Sequence, residues 1–325
     1  MSAQNTPGGL DGTSEKPRGS PEEPRGGPAR AMLADGRWHF QHGPIDLLIE
    51  AQGQPEVCRE AHEECWQAFQ PVLATLVREL ATLRLPLPTT HALPPGLRGP
   101  VAQRMVRACL PHARAGLYIT PMAAVAGSVA DHLIGCYRRA GIARAYINNG
   151  GDIALHLVPG ERWRVGVVPR VHAPQVDADL TVEGHSPWRG VATSGWRGRS
   201  LSLGIADSVT VLAADAATAD AAATVIANHV NLDHPAVLRR PAREVRDDSD
   251  LGDLPVTVAV DTLPREAVGS ALAHGLACAN ALRAKGRIAH ALLALADCWV
   301  QTAAPRRANI ARARCAPVPA AIVAS

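Results

Sequence analysis

Val191-Ala-Thr-Ser-Gly-Trp-Arg-Gly198, then Ser208-Val-Thr-Val-Leu-Ala213, then Asp220-Ala-Ala-Ala-Thr224 is the run whose reading decides the fold. It predicts a glycine turn, a buried strand, and a helix with an acid near its start. Asp220 and Thr224 are four residues apart, so both oxygens lie on one helix face. A carboxylate and a hydroxyl so placed form a corner for a hard cation such as Mg2+, which takes oxygen ligands. The pair also has an explanation without metal. With Thr218 as cap, Asp220 lies in the first turn, where a carboxylate offsets the helix dipole by ~0.5 kcal/mol. Thr224 then bonds back to its own helix.

Upstream, Ile45, Leu47 and Ile49 alternate as in a partly buried strand, after a turn at His42-Gly43-Pro44. Residues 55–83 repeat apolar side chains at helical spacing, and Pro71 divides them. Residues 86–100 are a proline-rich loop, and 101–110 a short helix. Thr120-Pro121 opens a longer helix to about Arg139. Strands are expected at 143–147, 152–158, 162–168, 188–193, 199–203, 208–213 and 256–260. Residues 175–186 read as an irregular excursion and 231–253 as a polar, proline-punctuated stretch. Two Ala-rich helices are expected over 265–300. Strands and helices arrive in groups, which favours an α+β fold with a largely antiparallel sheet and helices on one side.

Composition narrows the function. Of 325 residues, 47% are apolar but only 3% aromatic, so the core is built from Ala, Val, Leu and Ile. Residues 1–30 are Gly, Pro, Ser, Glu and Arg, too polar to offset their ordering entropy, and read as disordered. Residues 304–325 read as a second disordered tail, leaving one domain at 37–302. The net charge of +3 is small, and no basic stripe interleaves with aromatics, so no nucleic-acid partner is expected. Seven cysteines without a C-x-x-C pair suit free thiols in a reducing compartment. No apolar leader and no run long enough to span a membrane is present, so a soluble cytoplasmic protein with no membrane partner is expected.

Three further segments carry polar or small residues in suggestive order. Asn148-Asn-Gly-Gly-Asp152 is either a hairpin turn with positive φ or a backbone nest for a phosphate. Thr120-Pro-Met-Ala-Ala-Val-Ala-Gly-Ser-Val-Ala-Asp131 is either a close-packing helix start or an exposed N-terminus for an anion. Thr193-Ser-Gly-Trp-Arg-Gly198 is either a tight turn or a place where an indole stacks on a flat ring and a guanidinium pairs with phosphate. His39 and His42 are weak metal candidates, because their segment reads as extended.

The candidate ligand site joins Ala123, Ala124, Gly127 and Ser128 to Asn149, Gly150, Gly151 and Asp152. Thr193, Ser194, Gly195, Trp196 and Arg197 complete it, beside the Asp220–Thr224 corner. Its expected ligand is an aromatic heterocycle or nucleotide bearing a phosphate or another anionic group.

Taken in order, Arg37-Trp-His-Phe-Gln-His-Gly-Pro44, Ile119-Thr-Pro-Met-Ala-Ala-Val-Ala-Gly127, Asn148–Asp152, Ala192-Thr-Ser-Gly195 and Asp220–Thr224 resemble the ApbE-like superfamily. The match is to a shorter branch of it and covers about 38–300. The superfamily includes flavin transferases that move FMN from FAD to a protein. The resemblance implies a two-layer T-fold built as a pseudo-duplicate, FAD or FMN with Mg2+ as cofactors, and a protein acceptor. It also implies a divalent cation held by Asp220, Thr224 and the Ala124 carbonyl. This chain departs from the transferases in three places. Val125-Ala-Gly-Ser128 stands where they carry Lys. Ser200-Leu-Ser-Leu-Gly-Ile-Ala-Asp207 lacks their His and Pro. His42-Gly43-Pro44 replaces Met-Gly-Thr. A binding module that kept the scaffold and lost the transfer chemistry is the alternative function.

Overall fold

The computed structural model describes residues 26–89, 94, 96–167, 178–303 and 310–311. Its frame is a nine-stranded, wholly antiparallel sheet. The first half comprises β1 (Ala29–Met32), β2 (Trp38–His42), β3 (Ile45–Gly53), α1 (Pro55–Phe69), α2 (Val72–Leu83) and α3 (Pro100–Ala113). A 3-10 turn at Pro121–Ala124, α4 (Val125–Leu133), β4 (Ile142–Asn149) and β5 (Asp152–Leu157) complete it. A hairpin of β6 (Arg162–Val167) and β7 (Ala178–Glu183) follows outside the main sheet.

The second half runs β8 (Gly190–Ser194), β9 (Ser208–Ala213), α5 (Ala216–His229), β10 (Val237–Pro241), α6 (Ala242–Val245), β11 (Pro255–Val260) and α7 (Arg265–Ala284). It closes with β12 (His290–Leu295) and β13 (Cys298–Gln301), while β14 (Ile310–Ala311) pairs with β7. Sheet order is β1-β2-β3-β4-β5-β8-β9-β12-β13. Each half is thus a hairpin, a group of helices and a second hairpin. This is the expected α+β, T-fold-like pseudo-duplicate. The sheet runs from one half to the other where β5 meets β8, in the register Ile153↔Val191 and Ala154↔Gly190.

Alternation decides which face each strand buries. Ile45, Leu47 and Ile49 point toward the helices, with Ala61, Phe69, Leu76 and Leu133 in the same core. In the second half Val209, Val211 and Leu293 pack on Ile226 and Leu272. The opposite face is covered in part by β6 and β7, whose Leu180 and Val182 meet Leu155, Val191 and Leu212.

α5 is apolar nearly all round because it is packed nearly all round, against β8, β9, α4, α3 and α7. Alanines at 216, 217, 219, 221, 222, 223 and 227 permit the close approach. Its chief polar stripe is Asp220, Thr224 and Asn228, at four-residue spacing. Where α4 crosses it, Gly127 leaves no room for a side chain, since a Cβ there would overlap the Ala216 carbonyl oxygen.

Several expectations need correction. Residues 290–301 form the β12–β13 hairpin, not a second Ala-rich helix. His290-Ala-Leu-Leu-Ala-Leu295 is buried on both faces, and a short apolar run has no period to separate strand from helix. Residues 199–203 are irregular rather than a strand, held by Asn228, which accepts from the Leu203 amide at 3.0 Å. The polar stretch 231–253 contains β10 and α6, and the excursion at 175–186 contains β7. The expected helix from 120 to 139 is a 3-10 turn, then α4, then a second 3-10 turn at Ile134–Tyr137. Ala29 and Arg30, read as the end of a disordered segment, belong to β1. Residues 1–25, 175–177, 304–309 and 312–325 lie outside the described residues. Pro71 does divide α1 from α2. Among the described residues six cysteines are free, and no helix is long and apolar enough to cross a membrane.

Gly127→Ala tests the crossing. The added methyl must push α4 from α5, so urea unfolding should show a loss of about 1–3 kcal/mol. An unchanged midpoint would mean the contact is looser than described.

Candidate functional site

The site lies at the junction of the halves, on the helix side and around the end of the sheet. Asp152 opens β5 beside the Gly150–Gly151 turn. Asp220 and Thr224 face it from α5, and Ala126 from the start of α4. Two cavities, of about 630 and 380 Å3, meet here and share Ala126, Asp152, Ser194, Ser200, Asp220 and Thr224 as lining.

Asp220 is five residues past the helix cap. Asp215 is the cap, accepting the Thr218 amide at 2.7 Å. The first-turn account of Asp220 with Thr218 as cap is therefore replaced. Asp220 instead caps a different helix: its Oδ2 accepts the Gly127 amide of α4 at 3.0 Å, and the Ala126 amide also donates to it. α4 answers in kind. Asp131 accepts the Ala217 amide at the start of α5, at 2.8 Å. Each helix thus lends a carboxylate to the other's otherwise unpaired first amides.

Burial pushes the Asp220 carboxyl well above the usual range, and the charge of Asp152 adds to this against the two α4 amides. Burial lifts Asp152 to about 7, opposed by the Thr193 amide, which donates at 3.3 Å, and by the charge of Arg199. Burial and then the charge of Asp215 raise Asp131 to about 6, with the Ala217 and Ala216 amides pulling the other way. Two acids at one node, both held toward the neutral form by burial, make a place where a cation gains most.

Asn149 donates to the Ala126 carbonyl at 3.1 Å, tying the turn to α4. Gly150 and Gly151 have φ of +64° and +114°, the positive values that the hairpin reading requires. The Gly151 amide is taken by the Asn148 side chain at 2.8 Å, so the turn offers backbone close to a ligand rather than a ring of free donors. A Cβ on Gly150 would overlap the Arg199 guanidinium, which packs across the turn. Arg197 pairs with buried Asp207 at 2.9 Å and lies over the Trp196 ring, 4.3 Å from its centroid. Thr193 and Thr210 share a hydroxyl contact of 2.9 Å on the adjoining strands.

Of the residues expected at the site, Asn149, Gly150, Gly151, Asp152, Thr193, Ser194, Gly195, Arg197, Asp220 and Thr224 line the larger cavity. Ala123 lines only the smaller one. Ala124, Gly127, Ser128 and Trp196 line neither. Ala124 is fully buried with Val106, Ala217 and Ala221, so Ala126 stands at the node instead. Gly127 faces α5, Ser128 is fully buried, and Trp196 carries Arg197 rather than a cavity wall. His39 and His42 do not converge: His39 contacts Asp46 at 3.1 Å, and His42 is buried near Phe69. Among the described residues no three His, Cys, Asp or Glu cluster as metal ligands. A cation here would rest on two carboxylates and neutral oxygens.

Sequence reasoning missed Arg199, Thr210, Asp207 and Asn228. Arg199 was hidden by the strand reading of its segment. Asn228 could have been found, since it continues the Asp220–Thr224 spacing by four on a helix otherwise rich in Ala. Nothing local marks Asp207.

An α+β pseudo-duplicate with an acidic node where its halves meet is the class these observations define. The chain belongs to the AbpE bacteria family, whose sequence profile matches residues 30–303. It is 35% identical over 198 residues to a UPF0280 protein of Methanosphaerula palustris, covering 60% of this chain and 77% of the relative. A UPF0280 protein of Methanosarcina acetivorans is 30% identical over 211 residues, 65% of this chain and 78% of the relative. Among solved structures, a point mutant of the flavin transferase ApbE from Vibrio cholerae aligns with a TM-score of 0.45 and 14% identity. That alignment covers 85% of this chain and 97% of that one. The apo flavinyl transferase ApbE of Pseudomonas stutzeri aligns at 0.41 and 15%, over 85% and 93%.

The acid pair sets a pH dependence. Folded Asp152 keeps its proton to about pH 7, whereas an unfolded Asp releases it near 4. Between these values the folded state binds more protons, so stability falls as pH rises through the window. Asp220 acts in the same direction. Buried His62, His112 and His290, each lowered to about 4, act the other way over the same range, so the test is the difference between proteins. In urea unfolding with chelator, the stability of wild type relative to Asp152→Asn should fall from pH 5 to pH 8, by on the order of a few kcal/mol. Parallel profiles for the two proteins would contradict the burial of Asp152.

Proposed function

We propose that this chain binds a two-part phosphorylated heterocycle of the flavin nucleotide class, with a divalent cation at the node, and acts in flavin-nucleotide transfer. The observation that carries the reading is the shape of the site. Two cavities of unequal size share the acid node in their lining, an arrangement that suits a ligand with two ends and a phosphate bridge. FAD is such a ligand.

The donor set fits a hard cation. Asp152 and Asp220 supply carboxylate oxygens, Thr224 a hydroxyl, and the small-residue helix start a carbonyl, from Ala126 by its position or Ala124 by the family resemblance. Bound there, Mg2+ would neutralise the acid pair and the phosphate charge. Asp220 would be held in place by the α4 amides, and Arg197 and Arg199 at the wall of the larger cavity add positive charge toward the phosphates. In FMN transfer, a phosphoanhydride bond of FAD breaks, an acceptor hydroxyl forms the new phosphoester and gives up its proton, and AMP leaves. A protein acceptor is part of that reading.

One observation favours the second function, binding without transfer. Among the described residues no His, Lys or Cys lines either cavity. A base for the acceptor hydroxyl would then be an Asp, or Tyr118 at the smaller cavity, or come with the acceptor.

Calorimetry separates the readings. Mg2+ should bind wild type, and Asp220→Asn, which keeps an oxygen for the α4 amides, should weaken it at least tenfold. FAD should bind more tightly with Mg2+ than without. Release of AMP from FAD in the presence of an acceptor supports transfer, and saturable binding without AMP supports the binding module. Equal Mg2+ heats for both proteins, with no binding of FAD or FMN, would defeat both.

A further inference from the structure

Asp220, Thr224 and Asn228 follow one another at four-residue spacing along α5, and all three line the smaller cavity. At a rise of 1.5 Å per residue, Asn228 stands about 12 Å along the helix from Asp220. The cation node makes no use of it.

Asn228 is held in one orientation. Its Oδ1 accepts the Leu203 amide at 3.0 Å and the Ser202 hydroxyl at 3.2 Å. Leu203 is clamped on its other side, where Asn231 donates to its carbonyl at 2.9 Å. Gly204 lets this loop lie against the helix, because a Cβ there would overlap the Ala227 carbonyl oxygen. A backbone N–H only donates, so the Asn228 oxygen must face Leu203 and its nitrogen must face away. That nitrogen has no hydrogen-bond partner among the described residues, and it is not shut off from solvent. Asn228, Ser202 and Leu203 all line the cavity, so the open donor is presented there.

Pro44, Ile119, Met122, Leu201, Leu203 and Val225 give that cavity apolar walls. Three hydroxyls among its lining spend their protons inside the protein. Tyr118 donates to the Asp250 carbonyl at 3.1 Å, Thr120 to the Asp250 carboxylate, and Ser202 to Asn228. An aspartate at 228 would tie the loop to α5 as well, so holding the loop does not account for the amide nitrogen.

We infer that the smaller cavity is the ring subsite, and that Asn228 is a specificity-determining residue in it, donating to a carbonyl on the edge of a flat heteroaromatic ring. The donor selects between rings. An Asn that reads adenine uses both ends of its amide, accepting from the amino group and donating to a ring nitrogen. Here both lone pairs of the oxygen are taken, and only the donor half is free. A ring with carbonyl acceptors along its edge, as in the dione ring of a flavin, matches that half; adenine, with its amino donor, does not. This inference rests on the proposal that the site binds a flavin nucleotide, and it adds which cavity takes the flavin ring and which residue reads it.

Asn228→Asp keeps an oxygen for Leu203 and Ser202 and replaces the donor by an acceptor. Binding of FMN, riboflavin and AMP to wild type and variant is followed by calorimetry, with circular dichroism to check folding. Expected is a loss of roughly tenfold or more for FMN and riboflavin, as for one hydrogen bond left unmade, with AMP within about twofold of wild type. Riboflavin has no phosphate, so its loss cannot arise from repulsion between phosphate and the new carboxylate. FMN binding that Asp220→Asn weakens and Asn228→Asp leaves intact would overturn the subsite while sparing the flavin reading. A loss for AMP alone would overturn it by placing adenine there, and an equal loss for all three would reduce Asn228 to a structural tie. No binding of FMN, FAD or riboflavin to wild type would remove both. Should Asn228→Asp fail to fold, wild type is titrated with FMN analogues in which one ring carbonyl oxygen is replaced by sulfur, a poorer acceptor. One analogue should bind about fivefold more weakly or worse; analogues that all match FMN overturn the inference.

Discussion

The crossing of α4 and α5 is the constraint on which the site depends. The helices approach until the Gly127 and Ala216 backbones touch, and each supplies the carboxylate that satisfies the other's first amides. An uncapped buried helix start would leave several N–H groups unpaired, each costing about 1–3 kcal/mol. Asp131 and Asp220 remove that cost reciprocally, which fixes the relative placement of the helices. The Asp220 carboxylate is consequently held by two α4 amides.

That placement carries an electrostatic burden. Asp220 is kept near a second buried acid, Asp152, with the Arg199 charge offsetting it only in part. A core built for stability alone would not place both there. Positive charge at the node would offset that burden, which is why the proposed cation is set there. On the proposed function, the glycines of the β4–β5 turn would leave backbone rather than side chain beside the ligand.

Much of the fold was legible because its signals are local. The alternation of Ile45, Leu47 and Ile49, the break at Pro71 and the Asn-Gly-Gly turn each act through the residues that show them. The α+β class followed from the grouping of such elements. The β12–β13 hairpin was not legible, because His290–Leu295 is buried on both faces and shows no alternation. Asp220 and Thr224 were visible as a pair, but the reason for Asp220 was not. Its partners, Ala126 and Gly127, lie some ninety residues upstream, and its repulsive neighbour Asp152 sits in the other half. Ala124 and Ala126 are two residues apart on the same small-residue turn, and only packing against Val106 and Ala217 tells which is buried. Trp196 looked available for stacking until Arg197 was found lying over it.

The seam between β5 and β8 has a further meaning. Asp152 belongs to one half of the pseudo-duplicate and Asp220 to the other, and β5 and β8 carry the sheet between them. In architecture the chain resembles a dimer whose subunits were written into one polypeptide. The candidate site is an interface, and neither lobe owns it. Covalent linkage frees such an interface from symmetry, so one lobe could grow the β6–β7 flap and the other the β10–β11 arm without each having to appear twice. The lopsidedness of the cleft is then a record of how fused twins diverge.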